Sequence, residues 1–296
     1  MKPTAIAELL LLAALWGASF LFMRIAVPVL GPVWLIELRV LFAGIALLPL
    51  LLRASPWHTI RQYWRPLIVI GLINLALPFI LLAYTTLYLS AGFTAILNAT
   101  APLFGTIVSW IWLKEKLTWI RGIGFGLGFL GVVILVSGQQ SATPSITNAI
   151  AILTGLCGAL MYAIAAPYAK KYLENVPSFI TSAVSQFTAA LFLLPALPFT
   201  IPTHPITTPV ILSVLLLAVG STALAYILYF RLIHSIGSTN ALTVSYLIPL
   251  FAMLWGGLLL REPITLSMMI GCGLIVAGVA IAYANPPHTK IEDPNR

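Results

Sequence analysis

Residues 112–133 read WLKEKLTWIRGIGFGLGFLGVV, and residues 259–280, 147 positions further on, read LLREPITLSMMIGCGLIVAGVA. Nine of these twenty-two positions are identical. Two unrelated apolar segments would share roughly two, so a duplication explains the match. The same offset lays AILNATAPLF (95–104) over LTVSYLIPLF (242–251), pairing Pro102 with Pro249 and Asn98 with Ser245, and it pairs Arg39 with Gln186. The chain is one unit written twice.

The duplicated unit is apolar throughout. Of 296 residues, 60% are hydrophobic and 7% charged, against roughly 25% charged in a soluble domain, so a water-soluble globule is excluded. Apolar runs fall at about 6–27, 33–52, 67–89, 93–113, 122–138, 149–169, 178–199, 209–233, 239–260 and 267–284. Ten spans of about 20 residues leave about 96 for all loops and tails. Lipid satisfies no backbone hydrogen bonds, and the runs are too long for barrel strands and lack their alternation. The expected fold class is therefore an all-α integral membrane protein with ten transmembrane helices. Five spans per unit is an odd number, which turns the copies into two inverted five-helix repeats. The first repeat is expected at 1–138, an external connecting loop at 139–148, the second repeat at 149–284 and a polar, Pro-rich, disordered tail at 285–296. The first run holds Trp16 and Arg24 and precedes further spans, so it reads as a retained helix rather than a signal peptide.

Fifteen Lys and Arg against seven Asp and Glu give a net charge of +8. The basic residues stand singly between apolar runs rather than in clusters, which argues for topology signals and against nucleic acid. With ten spans, Lys2, Arg53, Arg61, Arg65, Lys114, Lys116, Arg121, Lys170, Lys171, Arg231, Lys290 and Arg296 share a side with both termini, and only Arg24 and Arg261 face the other. Basic loops stay cytoplasmic, so the expected location is the inner cell membrane, multi-pass, with both termini in the cytoplasm. Cys157 and Cys272 lie in separate apolar runs and offer neither a disulfide framework nor a metal motif. No metal and no cofactor is expected.

The motifs LWGASF (15–20), LRVLFAG (38–44), Pro102 followed by LKEKLT (113–118), and Pro249 followed by LREPIT (260–265), each pair ahead of a Gly-rich last helix, resemble the EamA-like branch of the drug/metabolite transporter superfamily. The resemblance covers nearly the whole chain. It implies a ten-helix secondary exporter of small metabolites such as amino acids, working by alternating access. In that family, aromatics on the first, third and sixth helices line a central cavity, and Trp16, Tyr84 and Tyr162 stand at comparable places. The family also has an arginine where this chain has Arg39.

A carrier needs a midplane cavity beside irregular helices. Pro102 and Pro249 are the expected helix breaks. Each removes the N–H that would bond the carbonyl four residues earlier, on Asn98 and Ser245. Substrate-binding candidates are therefore Trp16, Tyr84, Asn98, Tyr162 and Ser245, each weighed against plain helix packing. Tyr226 and Tyr246 share their mid-span depth. Glu37 and Arg39, charges inside the second run, are candidates for gating or coupling through a charge network at the outer gate. Two positions apart, they point to opposite sides of the helix, and both lie close enough to the outer surface to snorkel to it. His234 reads as a solvated helix end. The glycines of GLGFLG (126–131) match GxGxxG, but no strand precedes them, so close helix approach explains Gly122, Gly124, Gly126 and Gly128 and their echo at Gly271, Gly273 and Gly278. Thr118 and Thr265 read as helix N-caps.

Enzymatic function is not expected. The runs hold no HExxH or GxSxG cluster that an intramembrane lipid-processing enzyme would need, and no Walker motif for ATP use. The alternatives to a carrier are an intramembrane enzyme acting on lipid or lipid-linked substrate, or a solute channel. The expected partners are a small-molecule substrate and the lipid bilayer, with a homodimer left open and no nucleic acid. Tyrosines, a tryptophan, Asn98 and Ser245 suit neutral or zwitterionic solutes better than highly charged ones.

Overall fold

The computed structural model describes residues 3–54, 56–112, 118–142, 145–236, 241 and 243–283. The expected tail, together with Lys2, Lys114, Lys116, Lys290 and Arg296, lies outside them. The described residues are almost wholly helical and include no strand. Seven helices are long and apolar enough to cross a bilayer: α1 (Pro3–Arg53), α2 (Trp57–Tyr88), α3 (Ala91–Trp112), α4 (Trp119–Ala142), α5 (Ile146–Tyr172), α6 (Ser178–Phe199) and α7 (Thr208–Ile236). Two shorter apolar helices follow, α8 (Val244–Leu260) and α9 (Leu266–Tyr283).

Helix α1 has 51 residues and folds back on one glycine, Gly31, at φ 70° and ψ 163°. A Cβ there would meet nothing within 4 Å. The dihedral, not the space, demands glycine, and Pro32 is preset to start the returning arm. The two arms, 3–30 and 32–53, replace the short loop that the gap between the first two apolar runs implies. The connection between α4 and α5 is also shorter than expected from the polar stretch 139–148. Helix α4 runs to Ala142, and Ser145 Oγ caps α5 by accepting from the Thr147 N–H at 3.2 Å.

Packing follows the sequence repeat. The first arm of α1 lies on α8, where a Cβ on Gly17 would come within 2.7 Å of Phe251 Cβ and 2.9 Å of Ala252 N. In the other half, α5 lies on α3, with a Cβ on Gly155 within 2.7 Å of Leu97 Cδ1. The same α1 packs on α7 as α5 packs on α2. Helices α4 and α9 meet backbone to backbone, since a Cβ on Gly124 would stand 2.5 Å from the Gly278 carbonyl and one on Gly131 2.8 Å from that of Gly271. Close approach therefore uses Gly124, Gly128, Gly131, Gly271 and Gly278, whereas Gly122, Gly126 and Gly273 face open space. Positions 124, 128 and 131 share a helix face, and 122 and 126 lie on another. The outer faces carry large exposed apolar side chains, including Phe199 at 88% and Trp119 at 83% exposure, as expected of surfaces that meet lipid.

Both N-cap readings hold: Thr118 Oγ1 accepts from the Arg121 N–H at 3.4 Å and Thr265 Oγ1 from the Met268 N–H at 3.2 Å. His234 is exposed near the end of α7. Glu8 of α1 pairs with Arg231 of α7 at 2.9 Å. Cys272 is packed in a core shared by α3, α4, α5, α8 and α9.

Candidate functional site

Three interruptions of regular helix stand around the bundle interior. Helix α3 breaks at Ala99 and Thr100, between Asn98 and the segment that starts with Ala101 and Pro102. Helices α2 and α7 both widen to i→i+5 hydrogen bonding, at Leu72–Ala76 and at Leu216–Leu224. These two segments occupy equivalent positions under the 147-residue offset. Such widened turns often mark functional positions.

The result is a cavity of about 340 Å³, at the small end of ligand pockets. Its walls repeat. Asn74 and Ser221, Phe79 and Tyr226, Leu82 and Tyr229, Asn98 and Ser245, Ala101 and Ile248, and Pro102 and Pro249 all line it, and each pair is 147 positions apart. The first arm of α1 closes one side with Trp16, Ser19, Phe20 and Met23, and Tyr162 of α5 is added from the second half. Trp16 stacks obliquely on Tyr229 at 5.2 Å and meets Tyr226 edge-on at 6.3 Å.

Arg39 is the cation in this lining. It is 5% exposed. Its Nε donates to Thr222 Oγ1 at 3.0 Å, its Nη1 lies 3.8 Å from Met23 Sδ, and its guanidinium carbon sits 3.7 Å over the Phe79 ring. Thr222 in turn donates to the Leu217 carbonyl at 2.8 Å, five residues back, so the widened turn of α7 holds it inward. Among the described residues no carboxylate pairs with Arg39. Three buried polar atoms of the lining also lack a protein partner: Ser19 Oγ, Ser221 Oγ and Asn98 Oδ1.

Of the residues expected from sequence, Trp16, Asn98, Tyr162, Ser245, Arg39, Pro102 and Pro249 line the cavity. Tyr84 does not. It packs on Tyr88 at 5.1 Å, because the cavity face of α2 is set by Phe79 and Leu82, one turn apart, and position 84 lies far around the helix from both. Glu37 is also outside the cavity, buried at 4% exposure with Oε2 unpartnered. Neither Glu37 nor Arg39 snorkels: Glu37 is 4% exposed, and Arg39 is turned inward onto Thr222 of α7, Phe79 of α2 and Met23 of the first arm. Tyr246 packs in the core under α3 and α9 rather than lining the cavity. Pro249 lines the cavity but breaks no helix, as α8 runs unbroken from Val244 to Leu260. A proline near a helix start removes one bond, and a bend accommodates it.

An ion pair forms between residues other than the charges singled out from sequence. Arg24 Nε lies 3.2 Å from Glu262 Oε1, while its Nη1 takes the Thr86 and Leu87 carbonyls at 2.6 and 2.8 Å. Glu262 Oε2 accepts from the Ala91 N–H at 2.9 Å. This clasp satisfies the orphan carbonyls ending α2 and the first N–H of α3, and it ties both to the α8–α9 connection. Burial pushes the Glu262 carboxyl above its ordinary range, with the Ala91 N–H and Arg24 pulling against that.

Asn74, Ser19, Ser221, Thr222 and Tyr229 were not singled out from sequence. The 147-residue offset could have found Asn74 and Ser221, two polar residues at equivalent depth in apolar helices.

Apolar helices with lipid-facing outer surfaces, folded around a solute-sized cavity of aromatic and polar groups, define a multi-pass membrane transporter of small molecules. The chain belongs to the EamA-like transporter family, whose pattern it matches twice, over residues 4–137 and 149–284. Among its relatives, the uncharacterised transporter YvbV of Bacillus subtilis is 28% identical over 272 residues, covering 91% of this chain and 88% of that one. The inner membrane transporter YedA of Escherichia coli is 28% identical over 276 residues, covering 90% and 86%. A protein of Chlamydia muridarum named as an S-adenosylmethionine/S-adenosylhomocysteine transporter is 23% identical over 301 residues, covering 96% and 92%. One solved crystal structure superposes with a TM-score of 0.68 at 18% identity, covering 95% of this chain and 98% of that one, which shows the shared fold. These relatives are named as transporters, not as enzymes.

Proposed function

We propose that the protein is a secondary exporter of neutral or zwitterionic, amino-acid-like solutes, working by alternating access around the central cavity. The observation that carries this reading is the cavity wall of six residue pairs, each related by the 147-residue offset and contributed by α2, α3, α7 and α8. A carrier built from inverted repeats exchanges two conformations of its halves about a site at the repeat interface. On this reading the two arms of α1 count as separate spans, the described helices make ten crossings, and residues 1–138 and 149–284 are the inverted units. The Arg24–Glu262 clasp is the closed outer gate. The opposite end, where Tyr229, Val244 and Ser245 lie, faces the cytoplasm together with both termini. S-adenosylmethionine, the solute in the name of the Chlamydia relative, itself carries an α-amino acid end.

The test is transport by purified protein in liposomes loaded with single amino acids. A carrier gives saturable uptake and counterflow of labelled solute. Uptake that rises linearly with concentration and shows no counterflow would make the protein a channel. A thiol placed at Ser145 should react with an impermeant reagent from outside the cell and one placed at Arg61 should not.

A further inference from the structure

Arg39 is a buried cation with no carboxylate paired to it among the described residues. Its Nε is held by Thr222, its Nη1 leans on Met23 and one face rests on Phe79, whereas Nη2 has no protein partner among the described residues. Among the described residues, two unpartnered hydroxyls line the same cavity. Ser19 lies one helical turn before Met23 on the same face of α1, and Ser221 immediately precedes Thr222 on α7. Ser19 is 5% exposed and Ser221 fully buried, and both line the cavity. A buried charge and two buried hydroxyls without partners each destabilise the fold, unless a bound group completes them.

We infer that Arg39, Ser19 and Ser221 form the subsite for a carboxylate on the transported solute. The guanidinium offers its free edge to the carboxylate oxygens and the hydroxyls donate from either side. Asn98, whose Oδ1 is an unpartnered acceptor, lines the same cavity and suits an ammonium. A carboxylate fits better than a phosphate because the lining supplies one cation, and the remaining walls are largely aromatic and aliphatic. The role differs from the charge network at an outer gate expected of Arg39, since no carboxylate of the described residues pairs with it. This inference rests on the transporter reading only for the word "transported"; the binding test stands without it.

The experiment is thermal stabilisation of the purified full chain in detergent by matched probes: L-leucine, L-leucinamide, isovalerate, isovaleramide and an isobutylphosphonate. The acids should stabilise at concentrations at least tenfold below those their amides need, as loss of one charge-assisted hydrogen-bonded partner predicts. Arg39→Gln should abolish that discrimination and Arg39→Lys should restore part of it, since an ammonium keeps the charge without the fork. Ser19→Ala and Ser221→Ala should each narrow it, and they carry the test if Arg39→Gln does not accumulate. Equal effects of acid and amide, no effect of any carboxylate, or stronger stabilisation by the phosphonate would each overturn the assignment. Carboxylate binding that depends on Arg39, without uptake of any amino acid into liposomes, would sink the transport reading and leave the subsite standing.

Discussion

Arg39 and Gln186 occupy the same position in the two repeats, yet their environments have nothing in common. Arg39 reaches the cavity and rests on Phe79. Gln186 is fully buried, lines no part of the cavity, and has both amide atoms unpartnered against the Gly44 face of α1. The same contrast recurs one step along, where α3 breaks before Pro102 and α8 runs straight through Pro249. Duplication supplied matching walls from α2, α3, α7 and α8, while the cation and the broken helix come from one copy only. That asymmetry is what the proposed solute, with two different ends, would need.

The largest expected effect comes from forcing the second copy to resemble the first. Gln186→Arg would bury a second guanidinium without a carboxylate, at a cost of about 3–5 kcal/mol, and the melting temperature in detergent should collapse. Gln186→Met should act in the opposite direction, because it removes two unsatisfied amide atoms worth about 1–3 kcal/mol at little change in shape. A Gln186→Met protein less stable than the parent would show that the amide has a partner in the membrane-embedded protein.

The next effect probes contacts the two copies share. Gly124→Leu drives a side chain into the Gly278 backbone and should destabilise by about 1–3 kcal/mol. Gly122→Ala, two positions away on an open face, should be neutral or stabilise by up to about 1 kcal/mol through helix propensity. Equal melting temperatures for the two variants would remove the backbone contact between α4 and α9.

Asn98 and Ser245 sharpen the comparison at the cavity itself. Asn98→Ala removes an unpartnered acceptor and should weaken apparent affinity for an amino acid about tenfold, roughly 1.4 kcal/mol, with stability intact. Ser245→Ala should change it less, since it removes a single hydroxyl rather than an amide with both a donor and an acceptor. Unchanged affinity in both, read from uptake kinetics in liposomes, would move the binding site elsewhere.

The smallest effect concerns the clasp, which joins the first copy to the second. The folded Glu262 carboxyl titrates above the unfolded one, so the folded state holds the proton more tightly. Its contribution to stability is complete below the unfolded pKa and declines as pH rises through the folded value. As pH rises above the ordinary carboxylate range the parent should lose stability relative to Glu262→Gln, read from paired melting curves. Parallel curves would mean that Arg24 fully offsets the burial.

Much of the arrangement was legible from residue order. The apolar runs marked the spans because a bilayer sets their length, and the 147-residue offset brought Asn98, Ser245, Pro102 and Pro249 to one cavity. Two of the expected residues stand away from the cavity. Tyr84 was chosen for its depth, but depth is shared by every face of a helix. Glu37 was chosen for its charge, and charge alone does not say which neighbour covers it. The widened turns of α2 and α7 had no local signal, since i→i+5 bonding arises from what packs beside a helix and not from a residue type.

By itself, then, the amino-acid sequence determined that the chain is a duplicated, helical membrane protein, because hydropathy, repeat spacing and proline chemistry act along the chain. Only the tertiary structure decided that Arg39 turns inward without a countercharge, that Gly31 alone folds α1 back, that one of two glycine stripes joins α4 to α9, and that Arg24 rather than Arg39 meets a carboxylate. Each of those outcomes depends on which helix faces are brought together, and facing is a property of packing that no single span encodes.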